Sequence, residues 1–161
     1  MNSKRWMITI LGMLIIAVAM TVFFFKKPGG ELNQTNLSQA EELWRQKGLK
    51  NYHMTISVTG AQEELHQIKV ANGSVISMTT NGADVKPSVW EYWNVEGMFQ
   101  FLERELEQTK AEHNSFGTKQ DRYMHLGVNF NKNWGYPQNF FRYVRNHPSN
   151  IQWTITEFKI L

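Results

Sequence analysis

The sequence of 161 residues contains no cysteine. This absence excludes a disulfide scaffold, a thiolate zinc site, a cysteine nucleophile and a lipid-modified cysteine behind a signal peptide. It does not indicate a compartment, because a cysteine-free chain is suited to either side of a membrane. A domain of this size buries enough apolar surface to fold without disulfides or a structural metal.

Recognisable catalytic motifs are also absent. The sequence has no GxSxG, SxxK, HExxH or GxGxxG pattern and no phosphate-binding loop. Only two aspartates are present, Asp84 and Asp121, and both lie in predicted loops. Glu103 and Glu107 share the polar side of a predicted helix, which is typical of a solvated face. We therefore predict no catalytic residue and favour a non-enzymatic role.

The five histidines show no ligand spacing typical of a metal site. His53 and His125 both fall on the polar face of a predicted strand, so their rings would meet if those strands were neighbours. No carboxylate accompanies either ring, whereas a useful site needs three or more ligands. We predict no bound metal and no cofactor.

A basic excess is missing from the folded part of the chain. The net charge is +3, but four of the 17 Lys and Arg residues flank an apolar run near the N-terminus. The remainder carries 13 basic and 14 acidic residues. Nucleic-acid binding relies on attraction to phosphates, so we do not expect a nucleic-acid partner.

The apolar run extends from Trp6 to Phe25 and contains no charged residue. Twenty helical residues span the hydrocarbon core of a bilayer, about 30 Å thick. A cleaved signal peptide is the alternative, since "AVA" at 17–19 resembles a cleavage site, but the apolar run continues beyond it. We predict an uncleaved transmembrane helix.

Four segments follow from this pattern. We predict a short cytoplasmic tail at 1–5, the transmembrane helix at 6–25, a linker at 26–36 and an extracytoplasmic domain at 37–161. Basic residues flank the apolar run on both sides, so the orientation rests on the short N-terminal tail, which is easily left in the cytoplasm. The expected location is the cell membrane, with a single pass and the C-terminal domain outside the cytoplasm.

The domain begins with a predicted helix from Leu37 to Gly48. Ser38 is the predicted N-cap, Glu41 would close a capping box, and Gly48 is a typical helix end. A strand with strict alternation follows from Tyr52 to Thr59.

Two further β-like runs flank Asn72-Gly73, a strong hairpin signal. A second helix is predicted over Val95 to Lys110, before a strand from Tyr123 to Phe130. The last strands follow "NKNWGYPQ" and end at Leu161. The links are too short for parallel crossovers, so the order indicates an α+β domain. We predict one antiparallel sheet of about six strands, with two helices packed on one face.

Five segments together resemble the bacterial family catalogued as domain of unknown function 6174. They are "LWRQKGLKNYHMTISV", "VANGSVISM", "VEGMFQFLE", "FNKNWGYPQNF" and "WTITEF". The resemblance covers roughly Leu37 to Leu161. It implies a small extracytoplasmic domain with no established activity, and it assigns no catalytic residue.

Aromatic residues provide the candidate binding site. A sheet with only one covered face leaves part of its aromatic set exposed, and exposed aromatics are typical of ligand grooves and protein contacts. The tentative groove consists of Trp90, Trp93, Trp134, Tyr136 and Tyr143. The alternative is that the loop at 83–94 folds over the second face and buries these rings.

The sequence thus predicts a membrane-anchored binding or interaction domain of the cell envelope, non-catalytic and of unknown specific role. The partner would be an envelope protein or ligand. An envelope enzyme acting on cell-wall or lipid material is the alternative function.

Overall fold

The computed structural model describes residues 30–60, 62–115, 124–145, 148 and 150–161. The predicted cytoplasmic tail, the predicted transmembrane helix at 6–25 and the first residues of the linker lie outside this range. Within the described residues, no helix combines the length and hydropathy needed to cross a bilayer.

The described part of the chain forms eight strands and three helices. The elements are β1 (Gly30–Glu31), α1 (Gln34–Lys47), β2 (Tyr52–Gly60), β3 (Glu64–Ala71), β4 (Ser74–Thr80), β5 (Ala83–Asp84), a 3₁₀ helix (Pro87–Trp93), α2 (Val95–Ser115), β6 (Met124–Phe130), β7 (Pro137–Val144) and β8 (Ile151–Ile160).

All eight strands belong to one sheet with the order β1-β6-β7-β8-β2-β3-β4-β5, and each neighbouring pair is antiparallel. The chain builds two three-stranded units, β2–β3–β4 and β6–β7–β8, which join where β8 pairs with β2. The outermost strands are only two residues long. Short edge strands offer little template for unwanted strand pairing.

One face of the sheet forms the core. Alternate residues of β2 from Tyr52 to Val58 are buried on it, as alternation predicts. The two α-helices and the 3₁₀ helix cover this face, since Phe101 of α2 contacts Phe140, Trp44 of α1 contacts Tyr52, and the 3₁₀ helix contacts α2 and β4. The other face carries no helix of the described residues.

The helix α1 begins earlier than the sequence predicts. Asn33 is the N-cap, and it forms a reciprocal capping box with Asn36. The predicted N-cap Ser38 instead lies inside the first turns, exposed to solvent. Asparagine caps a helix as well as serine does, so the sequence contains two possible N-caps, Asn33 and Ser38. The predicted end is confirmed, because Gly48 takes the left-handed conformation with φ 62°.

The predicted fold class was therefore wrong in its element count. The sheet has eight strands rather than six, and the described residues form three helices rather than two. The additional strands β1 and β5 contain two residues each, which is too short to show alternation. The third helix is the 3₁₀ segment, which covers only seven residues and was predicted to be a loop.

Candidate functional site

The segment between β6 and β7 is a tight loop built around Asn131. The side-chain oxygen of Asn131 accepts hydrogen bonds from the backbone N–H groups of Asn133 and Trp134, at 3.0 and 3.1 Å. Its backbone N–H donates to the carbonyl oxygen of Tyr136 at 2.8 Å, which closes the loop. Asparagine is suited to such turns because its short side chain bonds nearby backbone.

Tyr136 is part of the core and not of an exposed tip. Its ring stacks on Phe158 with a centroid distance of 4.2 Å and meets Trp44 edge-on at 6.5 Å. Tyr52 completes this cluster, stacked on Phe158 at 5.0 Å. Burial raises the pKa of the Tyr136 phenol, whose oxygen accepts a hydrogen bond from Asn131. The structure therefore gives Tyr136 a packing role.

Trp134 lies beside the end of α1. Its ring is half-buried, and the Lys47 ammonium group lies 5.6 Å from the ring centroid, within cation–π range. This contact joins the β6–β7 loop to α1 at the surface of the domain.

The 3₁₀ helix carries three aromatic residues within seven positions. Pro87 occupies its first turn, where a missing N–H costs nothing. Trp90 donates its indole N–H to the Val85 carbonyl oxygen at 2.9 Å, and Trp93 packs against the buried ring of His66. Tyr92 remains 46% exposed. None of the seven residues is buried.

Tyr143 points to the other face of the sheet. Its neighbour Arg142 contacts α2, and adjacent residues of a strand point to opposite faces. Tyr143 is 47% exposed. The 3₁₀ helix lies on the helical face, so the loop at 83–94 does not fold over the second face as the alternative interpretation proposed. The five predicted residues are thus divided between the 3₁₀ helix, the β6–β7 loop and the sheet face opposite the helices.

A groove lies where the 3₁₀ helix meets α2, and it was not predicted from the sequence. Its volume is about 370 Å³, near the lower end of the roughly 300–1,000 Å³ found for ligand pockets. Polar side chains and one aromatic ring line it: Glu91, Tyr92, Asn94, Glu96, Gln100 and Arg104.

Several contacts hold this groove in shape. A Cβ atom added at Gly97 would lie only 2.6 Å from the Glu91 carbonyl oxygen. Because glycine has no side chain, the backbone of α2 can approach the 3₁₀ helix closely at this position. Asn94 accepts a hydrogen bond from the Gly97 N–H at 2.7 Å and caps α2. The Arg104 guanidinium group lies 5.3 Å from the centroid of the Tyr92 ring. The groove is therefore formed before any ligand arrives.

A family model described as "Family of unknown function (DUF6174)" matches residues 36–142. The match begins in α1, includes the Gly-Tyr-Pro turn and extends into β7. The matched residues are more than half of the chain. The chain belongs to the DUF6174 family. The resemblance inferred from the sequence segments is confirmed. A comparison with curated proteins found no match.

The DUF6174 domain also buries one histidine, His66, on its helical face. Its Nδ1 lies 2.8 Å from the Thr80 hydroxyl oxygen. Its Nε2 lies 3.1 Å from a carboxylate oxygen of Glu64 but forms no well-aligned hydrogen bond among the described residues. Burial lowers the pKa of His66, and the nearby Glu64 charge opposes that shift in part. The ring of Trp93 covers it at 4.2 Å.

A buried ion pair joins α2 of the DUF6174 domain to the sheet. Arg142 donates a hydrogen bond to Glu105 Oε1 at 2.6 Å, and the Glu105 side chain is only 7% exposed. The second oxygen of Glu105 has no hydrogen-bond partner in the part of the chain that the structure describes. This pair fixes the position of α2 on β7, because the Glu105 carboxylate alone would be a buried uncompensated charge.

None of the residues that line the groove belongs to the set predicted from the sequence. A usable signal was present: Pro87 followed by "SVWEYW" is consistent with a short helix that begins at proline. His53 and His125, in contrast, do not meet, because β7 and β8 lie between their strands.

Proposed function

We propose that this DUF6174 protein is a non-catalytic binding domain of the cell envelope, and that the 3₁₀ helix is the centre of its contact surface. Partner recognition would then depend on the aromatic side chains of this helix and on the groove beside it.

The exposure of the 3₁₀ helix supports the proposal most directly. Trp90 and Trp93 are partly buried against the core, but none of the seven residues of this helix is fully buried. Val89 and Tyr92 are 44% and 46% exposed. Tyrosine, tryptophan and arginine are the residues most enriched at the energetic centres of interfaces, and Arg104 lies against Tyr92.

The sequence supports the location. The uncharged stretch from Trp6 to Phe25 favours attachment to the membrane, and the short N-terminal tail, which is easily left in the cytoplasm, favours a domain outside it. A binding domain held in this way would meet envelope components at high local concentration.

Affinity capture from solubilised membranes tests the proposal. The full chain would be compared with Tyr92→Ala and with the matched control Tyr143→Ala, which removes an equally exposed tyrosine from the other face of the sheet. We expect Tyr92→Ala to lose envelope components that both the wild type and Tyr143→Ala retain. Identical sets from all three proteins would contradict the proposed surface.

A further inference from the structure

We propose that the groove between the 3₁₀ helix and α2 binds an uncharged oligosaccharide. The inference rests on the proposed binding function and specifies the chemical class of its ligand. It follows from the side chains that line the groove, from their rigidity and from their charge.

The lining provides the hydrogen-bonding groups that a sugar requires. Each sugar hydroxyl both donates and accepts, so a sugar site needs acceptors and donors side by side. Glu91 and Glu96 supply carboxylate oxygens that only accept, Arg104 supplies N–H groups that only donate, and Gln100 supplies both. This mixture on one small surface suits a ligand with many hydroxyl groups.

Tyr92 supplies the apolar component. A pyranose ring has a face of C–H groups, and an aromatic side chain offers a flat apolar surface with a polar tip. Tyr92 is 46% exposed, and the Arg104 guanidinium group lies over one face of its ring, so a ligand would stack on the opposite face. A restrained and exposed aromatic ring costs little conformational entropy when a ligand stacks on it.

Two polar side chains of the lining are held by hydrogen bonds to the protein. Glu96 accepts a hydrogen bond from the Trp44 indole N–H at 3.1 Å, which anchors its carboxylate to α1. Asn94 donates to the Gly73 carbonyl oxygen at 3.0 Å and accepts from the Gly97 N–H. Affinity for weakly interacting neutral ligands depends strongly on such preorganisation.

The charge of the groove disfavours anionic ligands. Its lining carries two carboxylates and one guanidinium group, which is unfavourable for phosphorylated or acidic polymers. A basic peptide would be attracted, but its binding would weaken steeply with added salt because the groove is open to solvent. Binding of an uncharged sugar would depend little on salt.

Calorimetric titration of the full chain tests the inference, with chitotetraose and cellotetraose as probes. The buffer would contain a detergent without a sugar headgroup, because such a headgroup would compete for the site. The variants are Tyr92→Ala and Gln100→Ala, with Tyr143→Ala as the control. Thermal unfolding would verify that all variants fold as the wild type does.

We expect at least one oligosaccharide to bind with little change between low and high salt. Tyr92→Ala should weaken binding by roughly tenfold or more, the loss found when an aromatic anchor is truncated, and Tyr143→Ala should leave binding unchanged. Gln100→Ala should weaken it by a smaller factor. A preference for chitotetraose would indicate that the N-acetyl group is recognised as well.

The remaining outcomes separate this inference from the proposed function. If neither oligosaccharide binds while membrane components are still captured through Tyr92, the sugar inference is wrong and the binding function stands. If sugar binding is unaffected by Tyr92→Ala, the site lies elsewhere and the inference is wrong. If neither sugar nor any Tyr92-dependent component binds, both proposals fail.

Discussion

A side-chain carbon on Gly135 would overlap the carbonyl oxygen of Ala40. The same atom would lie 2.8 Å from the backbone nitrogen of Trp44, and Gly135 itself has a φ of 84°. The β6–β7 loop therefore rests directly on the backbone of α1. This contact places Tyr136 under the helix, where it stacks on Phe158. The Gly-Tyr-Pro turn therefore attaches α1 to the sheet.

The first prediction concerns Gly135. We expect Gly135→Ala to lower the free energy of unfolding by about 3 kcal/mol, because it combines a strained left-handed backbone with an overlap that neither backbone can relieve. Urea unfolding of the full chain, followed by tryptophan fluorescence, measures the change.

Gly48→Ala is the matched control. Gly48 has a φ of 62°, but nothing lies within 4 Å of the carbon that the substitution adds. It should lose only about 1 kcal/mol, the cost of the left-handed conformation alone. Equal losses at the two positions would show that the contact between the loop and α1 contributes nothing.

The second prediction concerns the ion pair between Glu105 and Arg142. Arg142→Met leaves the Glu105 carboxylate buried without its guanidinium partner, and we expect a loss of about 3 kcal/mol. Adding Glu105→Leu in the same chain removes the buried charge and should restore a large part of the loss. A double-mutant cycle by urea unfolding measures the coupling. Additive losses would contradict a coupled pair.

The third prediction concerns the pH dependence that His66 confers. Its pKa in the folded state is lowered from the ordinary value of 6.5, so the unfolded state binds the proton more readily. The contribution to stability is complete above pH 6.5 and is lost as the pH falls from there through the lowered pKa. The steepest slope is about 1.4 kcal/mol per pH unit, the effect of one proton.

Unfolding free energies measured between pH 5 and pH 8 test this sign. His66→Gln should lack the His66 contribution and therefore show a shallower pH dependence in the acidic range. The lowered pKa would be contradicted if the free energy of unfolding of the wild type increased over the pH range in which His66 becomes protonated.

The secondary structure was largely readable from local patterns. Alternation in the segment beginning at Tyr52 predicted β2, and Asn72-Gly73 predicted the turn between β3 and β4, where both residues have positive φ. Gly48 predicted the end of α1. These features depend on residues that are close together in the sequence, so local sequence patterns predict them.

The placement of the aromatic residues was not readable in this way. Tyr136 is buried because α1, about ninety residues earlier, covers it, whereas Tyr92 on the 3₁₀ helix is exposed. The burial of Tyr136 depends on packing between segments that are distant along the chain. Composition alone therefore does not decide which aromatic ring faces solvent.

Photocrosslinking in intact cells of the producing organism tests the proposed contact surface most directly. A photoreactive p-benzoylphenylalanine would replace Tyr92 in one full-length protein and Tyr143 in another, two positions of nearly equal exposure on opposite faces of the sheet. We expect discrete covalent adducts from position 92 and none of the same size from position 143. Adducts from position 143 alone, or the same adducts from both positions, would contradict a contact surface centred on the 3₁₀ helix.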